Sequence, residues 1–206
     1  MAKYEPHDKF YRQARERGLA SRAAFKIEEL IARYRLVRRG ARVADLGCAP
    51  GGWLAMLAAA AGAEGRVVGV DLAPCKIAMP GVVTIEGDIR DAATIARITD
   101  ALGGKADLVT SDLAPRLTGI ADHDQARMAE LVEAAIGCAR AVLRPGGAMV
   151  AKLFMGGDFG ELAAKFKGEF ERVETTRTRA TRPGSSELYV IARGFRAAAL
   201  SEPGGE

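Results

Sequence analysis

Four acidic side chains follow β-type runs of the sequence, at positions where parallel strands would end. They are Asp45, Asp71, Asp88 and Asp112. Because the carboxyl ends of parallel strands meet at one edge of a sheet, we expect these carboxylates to line one rim. Each acid taken singly has the alternative of capping a helix or closing a turn. Four acids at matching strand ends favour a shared binding site.

A glycine-rich turn accompanies the first of these acids, in the segment Asp45-Leu-Gly-Cys-Ala-Pro-Gly-Gly-Trp53. A β-type run ends at Leu46, and a helix is expected to open near Gly51. Glycine lets a ligand approach the backbone closely, and a helix N-terminus presents unpaired N–H groups. The dinucleotide fingerprint Gly-x-Gly-x-x-Gly is absent from this turn. The turn therefore predicts a ligand pocket of another kind.

The acids of the rim limit which ligand the pocket can take. Asp71 is placed to accept hydrogen bonds from both hydroxyls of a ribose, and Asp88 from the amine of adenine. Phosphate groups would be repelled, which argues against ATP and against a nicotinamide-dependent oxidoreductase. A nucleoside that carries a positive charge suits the rim, and S-adenosylmethionine with its sulfonium is the cofactor that we expect.

Two lysines stand in apolar surroundings. Lys152 lies within the apolar run Ala148–Phe154, where a charged side chain is costly unless it is paired. It forms either a structural buried salt bridge or part of a reacting group. Lys26 falls within the apolar face of a helical pattern, where the alternative is a lysine that extends to the surface.

The elements that would position these residues follow from hydrophobic periodicity. β-type runs alternate with helical patterns, and a further helix is expected from Ser21 as N-cap. The last two runs have no helix between them and should pair antiparallel. The pattern predicts an α/β fold with a seven-stranded, mostly parallel sheet, a terminal antiparallel hairpin and helices on both faces. The predicted strands are 42–46, 67–71, 82–86, 107–111, 147–153, 169–176 and 187–193, and the helices are 51–62, 91–101, 124–143 and 158–168.

Composition excludes several classes of protein. The chain has 206 residues, of which 49% are hydrophobic and 27% charged, which rules out a disordered chain and a membrane bundle. Its longest apolar run, Trp53–Ala61, falls well short of the about 20 residues that span a bilayer. We expect one cytoplasmic domain over 1–206, with a basic N-terminal segment at 1–20 and a flexible tail at 197–206. The three cysteines and two histidines argue against a disulfide scaffold and against a metal site.

Charge is distributed unevenly along the chain. Residues 1–42 hold twelve Lys and Arg against five acids, a net charge of +7, whereas the remainder carries −3. A second basic cluster consists of Arg172, Arg177, Arg179 and Arg182. Two basic surfaces beside one pocket indicate contact with a nucleic-acid backbone. The alternative is a solvated basic helix without a partner.

Segments spread along most of the chain resemble the FtsJ/RrmJ (RlmE) family of ribosomal RNA ribose 2′-O-methyltransferases. The resemblance implies a Rossmann-like S-adenosylmethionine-dependent methyltransferase fold and methyl transfer to a ribose hydroxyl of RNA. The segments that carry it are Ser21–Lys26, Asp45–Trp53, Gly69–Asp71, Gly87–Ile89, Ser111–Pro115, Val150–Phe154 and Ser185–Tyr189.

The resemblance also implies roles for single residues. It makes Gly51, Trp53, Asp71, Asp88 and Asp112 contacts of the cofactor. Trp53, the only tryptophan of the chain, has the alternative of anchoring the core.

The family's Lys-Asp-Lys-Glu tetrad corresponds to Lys26, Asp112, Lys152 and Glu187. A neutral Lys152 would act as general base, and Asp112 would orient it beside the sulfonium. Lys26 would favour the neutral form of Lys152 and hold the ribose or its phosphate. Glu187 would position the hydroxyl or a lysine.

Bacterial members of this family act on a uridine in the A loop of large-subunit (23S) ribosomal RNA, within the assembled 50S subunit. The resemblance therefore implies ribosomal RNA and the large ribosomal subunit as partners, with a monomeric enzyme. Arg116 departs from the family, which often has Asn there, and this departure bears on target choice. The alternatives are the same reaction on tRNA or another RNA, and a non-catalytic ribosome assembly factor of the same fold.

Overall fold

The computed structural model describes residues 23–75, 77–115, 118–156, 159–182 and 184–197. Helices and strands alternate along most of this range, as the periodicity predicts. In chain order the elements are α1 (Ala23–Tyr34), β1 (Arg42–Leu46), α2 (Gly52–Ala61), β2 (Arg66–Asp71), β3 (Val82–Glu86), α3 (Ala92–Leu102), β4 (Ala106–Ser111), α4 (Ala121–Val142), β5 (Leu143–Phe154), α5 (Phe159–Glu169), β6 (Phe170–Thr176) and β7 (Glu187–Phe195).

The strands form one seven-stranded sheet in the order β3-β2-β1-β4-β5-β7-β6. The first five strands of this order pair in parallel, and β7 pairs antiparallel with both β5 and β6. The predicted fold class is confirmed, including the terminal hairpin. Since β1 has β2 on one side and β4 on the other, the order of the strands reverses at β1, which is where open α/β sheets bind ligands.

Apolar side chains cover both faces of the sheet. α1 and α2 pack on one face through residues such as Ile27 and Leu57. α3, α4 and α5 pack on the other, with Ile98, Val132 and Phe166 among the buried contacts. The two layers hold the sheet rigidly, so that the loops at the carboxyl ends of the strands are presented at one edge.

Most predicted boundaries lie within one or two residues of the observed ones, and two do not. α4 begins at Ala121 instead of 124, and β5 begins at Leu143 instead of 147. The early start of β5 includes Pro145 and Gly146, which look like a turn in sequence. They form an irregularity in the strand, because the β4–β5 register shifts between Ala106 and Leu108.

Several expectations lie outside the described residues: the Ser21 cap, the basic segment before residue 23, the tail from residue 198 and Arg116. Within the part of the chain that the structure describes, no helix has both the length and the apolar character needed to cross a membrane.

Candidate active site

The glycine turn between β1 and α2 requires its glycines. Gly47 has a φ of 78°, and a Cβ there would lie 2.9 Å from the side chain of Leu113. Gly51 has a φ of 103°, and a Cβ would lie 2.2 Å from the Ile77 side chain. Both positions combine a left-handed backbone with close neighbours, so only glycine fits. The N–H of Asp112 donates to the carbonyl of Leu46, which ties the end of β4 to the start of this turn.

A cavity of about 590 Å³ opens beside the turn, at the edge where β1, β2 and β4 end. Its walls include the carboxylates Asp71, Asp88, Asp112 and Glu130. One cationic side chain, Arg90, is found among the described lining residues, and it pairs with Asp88 at 2.5 Å. A cavity with this excess of acceptors fits a ligand that brings hydroxyl or amine donors and a positive charge, as S-adenosylmethionine does.

Asp71, the last residue of β2, is held by main-chain amides on both sides of the cavity mouth. Its Oδ2 accepts from the N–H of Ala49 at 3.0 Å, and its Oδ1 accepts from the N–H of Ala73 at 2.9 Å. An ionised carboxylate has about four acceptor positions, so each oxygen keeps capacity for a ligand hydroxyl. The turn and the acid therefore fix each other in place.

Asp88 follows β3 and is engaged by its own neighbour. The guanidinium of Arg90 donates to both carboxylate oxygens, and the Arg90 N–H donates to Oδ1 at 2.9 Å. The side-chain hydrogen bond from Arg90 lowers the pKa of Asp88, which keeps this carboxylate ionised. The pair gives the cavity a fixed acceptor at the end of β3.

The predicted four-acid rim is wrong at Asp45. This residue lies inside β1, not after it, and is fully buried. Its Oδ1 accepts a hydrogen bond from the Thr110 hydroxyl at 2.6 Å, while Oδ2 has no partner among the described residues. Burial raises the pKa of Asp45 to about 8, so the side chain is largely protonated at neutral pH. Glu130 lines the cavity in place of Asp45. Because Glu130 lies within a helix, the pattern of acids at strand ends does not include it.

Two residues expected to contact the cofactor are not among the described residues that line this cavity. Trp53 is buried in the core, where its indole N–H donates to the carbonyl of Ala23 at 3.0 Å and its ring lies 6.0 Å from that of Tyr189. Gly51 is buried beneath Cys75 and Ile77. Trp53 therefore also anchors α1 against α2, and its contact with the cofactor stays a prediction.

The four residues of the predicted tetrad form two ion pairs. Lys26 of α1 places Nζ 2.7 Å from the carboxylate of Glu187 at the start of β7. Lys152 of β5 places Nζ 2.8 Å from Asp112 Oδ1 and donates to the main-chain carbonyl of Asp112 at 2.7 Å. Among these side chains, Lys152 is 10% exposed and Asp112 is 24% exposed, so the pairs are shielded from water yet still accessible.

The two ion pairs interact with each other. Burial raises the pKa of Asp112, and this effect is opposed by the charges of Lys152 and Lys26. The pKa of Asp112 is also raised by the negative charge of Glu187. The two cations and two anions therefore form one charged cluster around Asp112. Such a cluster can orient a hydroxyl, and it can accept the hydroxyl proton once one of its lysines has given up its own proton.

Glu187 is held by two further residues that the sequence patterns did not single out. The Tyr189 hydroxyl donates to Glu187 Oε1 at 3.1 Å, and the Thr181 hydroxyl donates to the same oxygen at 3.3 Å. Tyr189 lies directly opposite Lys152 in the β5–β7 register. Burial raises the pKa of Tyr189, so its phenol stays protonated and serves as a donor. Alternation along β7 places residues 187 and 189 on one face, which is the signal that could have found Tyr189.

Comparison with known proteins decides the family. The family model described as FtsJ-like methyltransferase matches residues 19–195. The chain belongs to the FtsJ-like methyltransferase family. A relative from Anaeromyxobacter dehalogenans, named ribosomal RNA large subunit methyltransferase E, is 47% identical over 203 residues, which cover 98% of this chain and 76% of the relative. A protein of the same name from Myxococcus xanthus is 41% identical over 97% of this chain and 93% of its own length.

Solved structures agree with the fold of this FtsJ-like methyltransferase. A protein described as a ribosomal RNA methyltransferase from Plasmodium falciparum superposes with a TM-score of 0.75 at 24% identity, over 86% of this chain and 99% of that chain. Fibrillarin from Aeropyrum pernix, solved with natively bound S-adenosyl-L-methionine, gives 0.56 at 19% identity over 82% of this chain and 73% of that chain. The predicted S-adenosylmethionine-dependent methyltransferase fold is confirmed.

A basic groove of this FtsJ-like methyltransferase lies along α1, the helix that carries Lys26. Its walls include Glu29, Arg33, Arg177 and Arg179. Lys26, Glu29 and Arg33 are spaced at i, i+3 and i+7, so they follow one face of the helix. Arg33 donates to the Thr176 hydroxyl at 3.0 Å, and the N–H of Arg179 donates to Glu29 at 2.8 Å. The groove thus joins α1 to the loop that leads into β7.

Proposed function

We propose that this chain transfers a methyl group from S-adenosylmethionine to the ribose 2′-hydroxyl of a uridine in the A loop of large-subunit ribosomal RNA, within the assembled 50S subunit. The observation that carries the proposal is the convergence of two lysine–carboxylate pairs beside a cavity rich in carboxylates. Relatives named ribosomal RNA large subunit methyltransferase E support the choice of RNA. The single methyltransferase domain and the monomeric state inferred from the sequence stay predictions.

The cavity residues divide the recognition of the cofactor among them. Asp71 would accept from the ribose hydroxyls, Asp88 from the adenine amine, and Asp112 would face the sulfonium. Gly47 would let the ligand approach the backbone of the turn. When bound, S-adenosylmethionine supplies an electrophilic methyl carbon, whose bond to sulfur breaks as the ribose oxygen attaches to it.

The tetrad handles the hydroxyl and its proton. A ribose hydroxyl is a poor nucleophile, so the enzyme must orient it in line and remove one proton. In this proposal Lys152 first loses a proton from its ion pair, and its Nζ then accepts the hydroxyl proton, which restores the pair with the Asp112 carboxylate 2.8 Å away. Glu187 accepts a hydrogen bond from the hydroxyl or holds Lys26, which provides positive charge for the sugar–phosphate backbone.

The basic groove supplies the RNA-binding surface in this proposal. Arg33, Arg177 and Arg179 would contact phosphates and place a ribose at the tetrad. Contacts of this kind position the nucleic acid without reading its sequence. Selection of one uridine then depends on the shape of the assembled subunit around it.

The proposal is tested by methyl transfer from tritium-labelled S-adenosylmethionine to large subunits isolated from cells that lack this protein. We expect stoichiometric labelling of the subunits and none of tRNA. Labelling of tRNA in place of subunits would assign the reaction to another RNA. Binding of subunits without any transfer would indicate a non-catalytic assembly factor.

A further inference from the structure

A second cavity, of about 270 Å³, lies next to the tetrad but outside the carboxylate-lined cavity. The two are separated by the segment 112–115 that follows β4: Asp112, Leu113 and Ala114 line the first, and Pro115 lines the second. On α4, residues within 124–128 line the second cavity, and residues within 130–134, further along the helix, line the first. The second cavity therefore begins where the proposed cofactor site ends, and no step proposed above uses it.

This second cavity is close to the reacting group. The ring of Phe154, which forms part of its wall, has its centre 5.9 Å from Nζ of Lys152. Phe154 pairs with Glu187 across β5 and β7, and Ser186 also lines the cavity. The distance from a group bound at the Lys152 amine to this cavity is therefore about the width of one sugar ring.

The walls of the second cavity are largely apolar and carry few polar groups. The side chains of Met128, Phe154, Met155 and Phe159 supply apolar surface. Met155 is 55% exposed, an unusual position for a large apolar residue beside a charged site. Such walls suit a flat group that stacks or packs on both faces.

Gln125 brings the one amide to this wall among the described lining residues. Its side chain is half-buried and makes no hydrogen bond with the described part of the chain. Asp124, its neighbour, is already engaged by the N–H groups of Thr118 and Gly119. A primary amide both donates and accepts, which matches the polar edge of a nucleobase.

We infer that this second cavity holds the base of the target nucleotide, turned out of the RNA stack, with the Gln125 amide facing the polar edge of the base. The inference rests on the proposed function, since it needs a ribose hydroxyl at Lys152. In a nucleotide the 2′-hydroxyl and the base are attached to adjacent ring carbons. A hydroxyl held at Lys152 therefore brings its own base to Phe154. A base that is stacked in the RNA cannot reach a cavity in the protein wall, so the nucleotide is flipped.

The test compares large subunits reconstituted with ribosomal RNA whose target position carries either uracil or no base. Both forms keep the 2′-hydroxyl and the phosphates. We expect the wild-type protein to methylate the uracil form at least about tenfold faster under single-turnover conditions, as base stacking on side chains of this kind contributes. Equal rates on the two forms overturn the inference. Absence of transfer to the uracil form contradicts the proposed function itself.

Variants of the cavity wall make the test specific. Met155→Ala and Gln125→Leu are expected to shrink the ratio of the two rates towards one. Met155 also contacts Arg177, but loss of phosphate binding slows both substrates equally and leaves the ratio unchanged. Val83→Ala, at another partly exposed apolar residue on β3, is the matched control and should keep the wild-type ratio. Cofactor affinity measured by calorimetry shows that each variant is folded, and a wild-type ratio in both wall variants refutes the assignment.

Discussion

The charged groups at the two sides of the site are organised in different ways. At the end of β2 and β3, the acids are held by close neighbours in sequence: Ala73 donates to Asp71, and Arg90 pairs with Asp88. Between β4, β5 and β7, the partners are distant, since Lys26 and Glu187 are 161 positions apart. The first region presents fixed acceptors to a cation. The second balances charges that can exchange a proton, and it exists only in the folded chain.

The largest effect should come from the second region. We expect Lys152→Ala to lower the methyl-transfer rate about a thousandfold, because it removes the group that accepts the hydroxyl proton. Cofactor affinity, measured by calorimetry, should change little, since the acids at β2 and β3 are untouched. Lys105→Ala, at an exposed lysine before β4, is the control and should retain full activity. Near-normal turnover in Lys152→Ala would remove the assignment of this lysine.

For the acids at the ends of β2 and β3 we expect the opposite pattern, in which cofactor affinity falls and the transfer rate changes little. Asp71→Ala should weaken S-adenosylmethionine binding about 10- to 100-fold, as it deletes a charged acceptor and releases the amides of Ala49 and Ala73. At saturating cofactor the transfer rate should stay within a few fold of wild type. Asp100→Ala, on the exposed face of α3, is the matched control. An unchanged affinity in Asp71→Ala would show that this acid does not contact the ligand.

The basic groove along α1 should respond to salt. We expect Arg33→Ala to raise KM for large subunits severalfold and to reduce the dependence of log affinity on log salt by about one. Its kcat should not change, because the tetrad is intact. Arg66→Ala removes an exposed arginine at the start of β2, away from the groove, and serves as the control. If log affinity depends on log salt equally in the Arg33 variant and the wild type, Arg33 does not contact the RNA and the groove is not its binding surface.

The smallest effect on methyl transfer is expected at a buried acid whose contribution is to stability, and it contrasts two such acids. Asp112 has a lysine partner, whereas Asp45 has the Thr110 hydroxyl as its side-chain partner among the described residues. Burial raises the pKa of Asp45 from 3.8 to about 8. Between these two values the folded state binds a proton that the unfolded state has lost, so the free energy of unfolding falls as pH rises, by up to about 1.4 kcal/mol per pH unit. Above about pH 8 the contribution is constant.

Asp45→Asn keeps an acceptor for Thr110 and removes this titration. We expect the variant to be more stable than wild type near pH 8 and to lose the part of the pH dependence that lies between pH 4 and 8. Denaturant unfolding at a series of pH values measures both effects. A wild-type pH profile in Asp45→Asn would show that Asp45 is ionised in the folded protein.

The contrast between the regions also explains what could be read from the sequence. Alternating periodicity and acids at strand ends are local signals, and they sufficed for the sheet and for Asp71 and Asp88. The same signal failed at Asp45, since an acid one residue inside a strand looks like one just after it. For Trp53 the sequence leaves a cofactor contact and a core anchor open, because a helix start does not show which side of the turn the ring will face, and the structure shows the anchor.

Local sequence patterns could not predict the ion pairs of the tetrad. Spacing along the chain says nothing about the meeting of Lys26 with Glu187, and these residues were singled out only by family resemblance. Tyr189 and Thr181, which hold Glu187, depend on the β5–β7 register and on a loop fold. Contacts of this kind are set by tertiary packing, which strand and helix propensities do not encode.

The most direct test of the account is mass-spectrometric mapping of ribose methylation in large-subunit ribosomal RNA from cells that lack this protein, complemented by the wild-type chain or by Lys152→Ala. We expect one 2′-O-methylated uridine of the A loop to be absent without the protein, restored by the wild type and still absent with the variant. An unchanged methylation map, or restoration of the methyl group by Lys152→Ala, would contradict a reaction carried out by two lysine–carboxylate pairs.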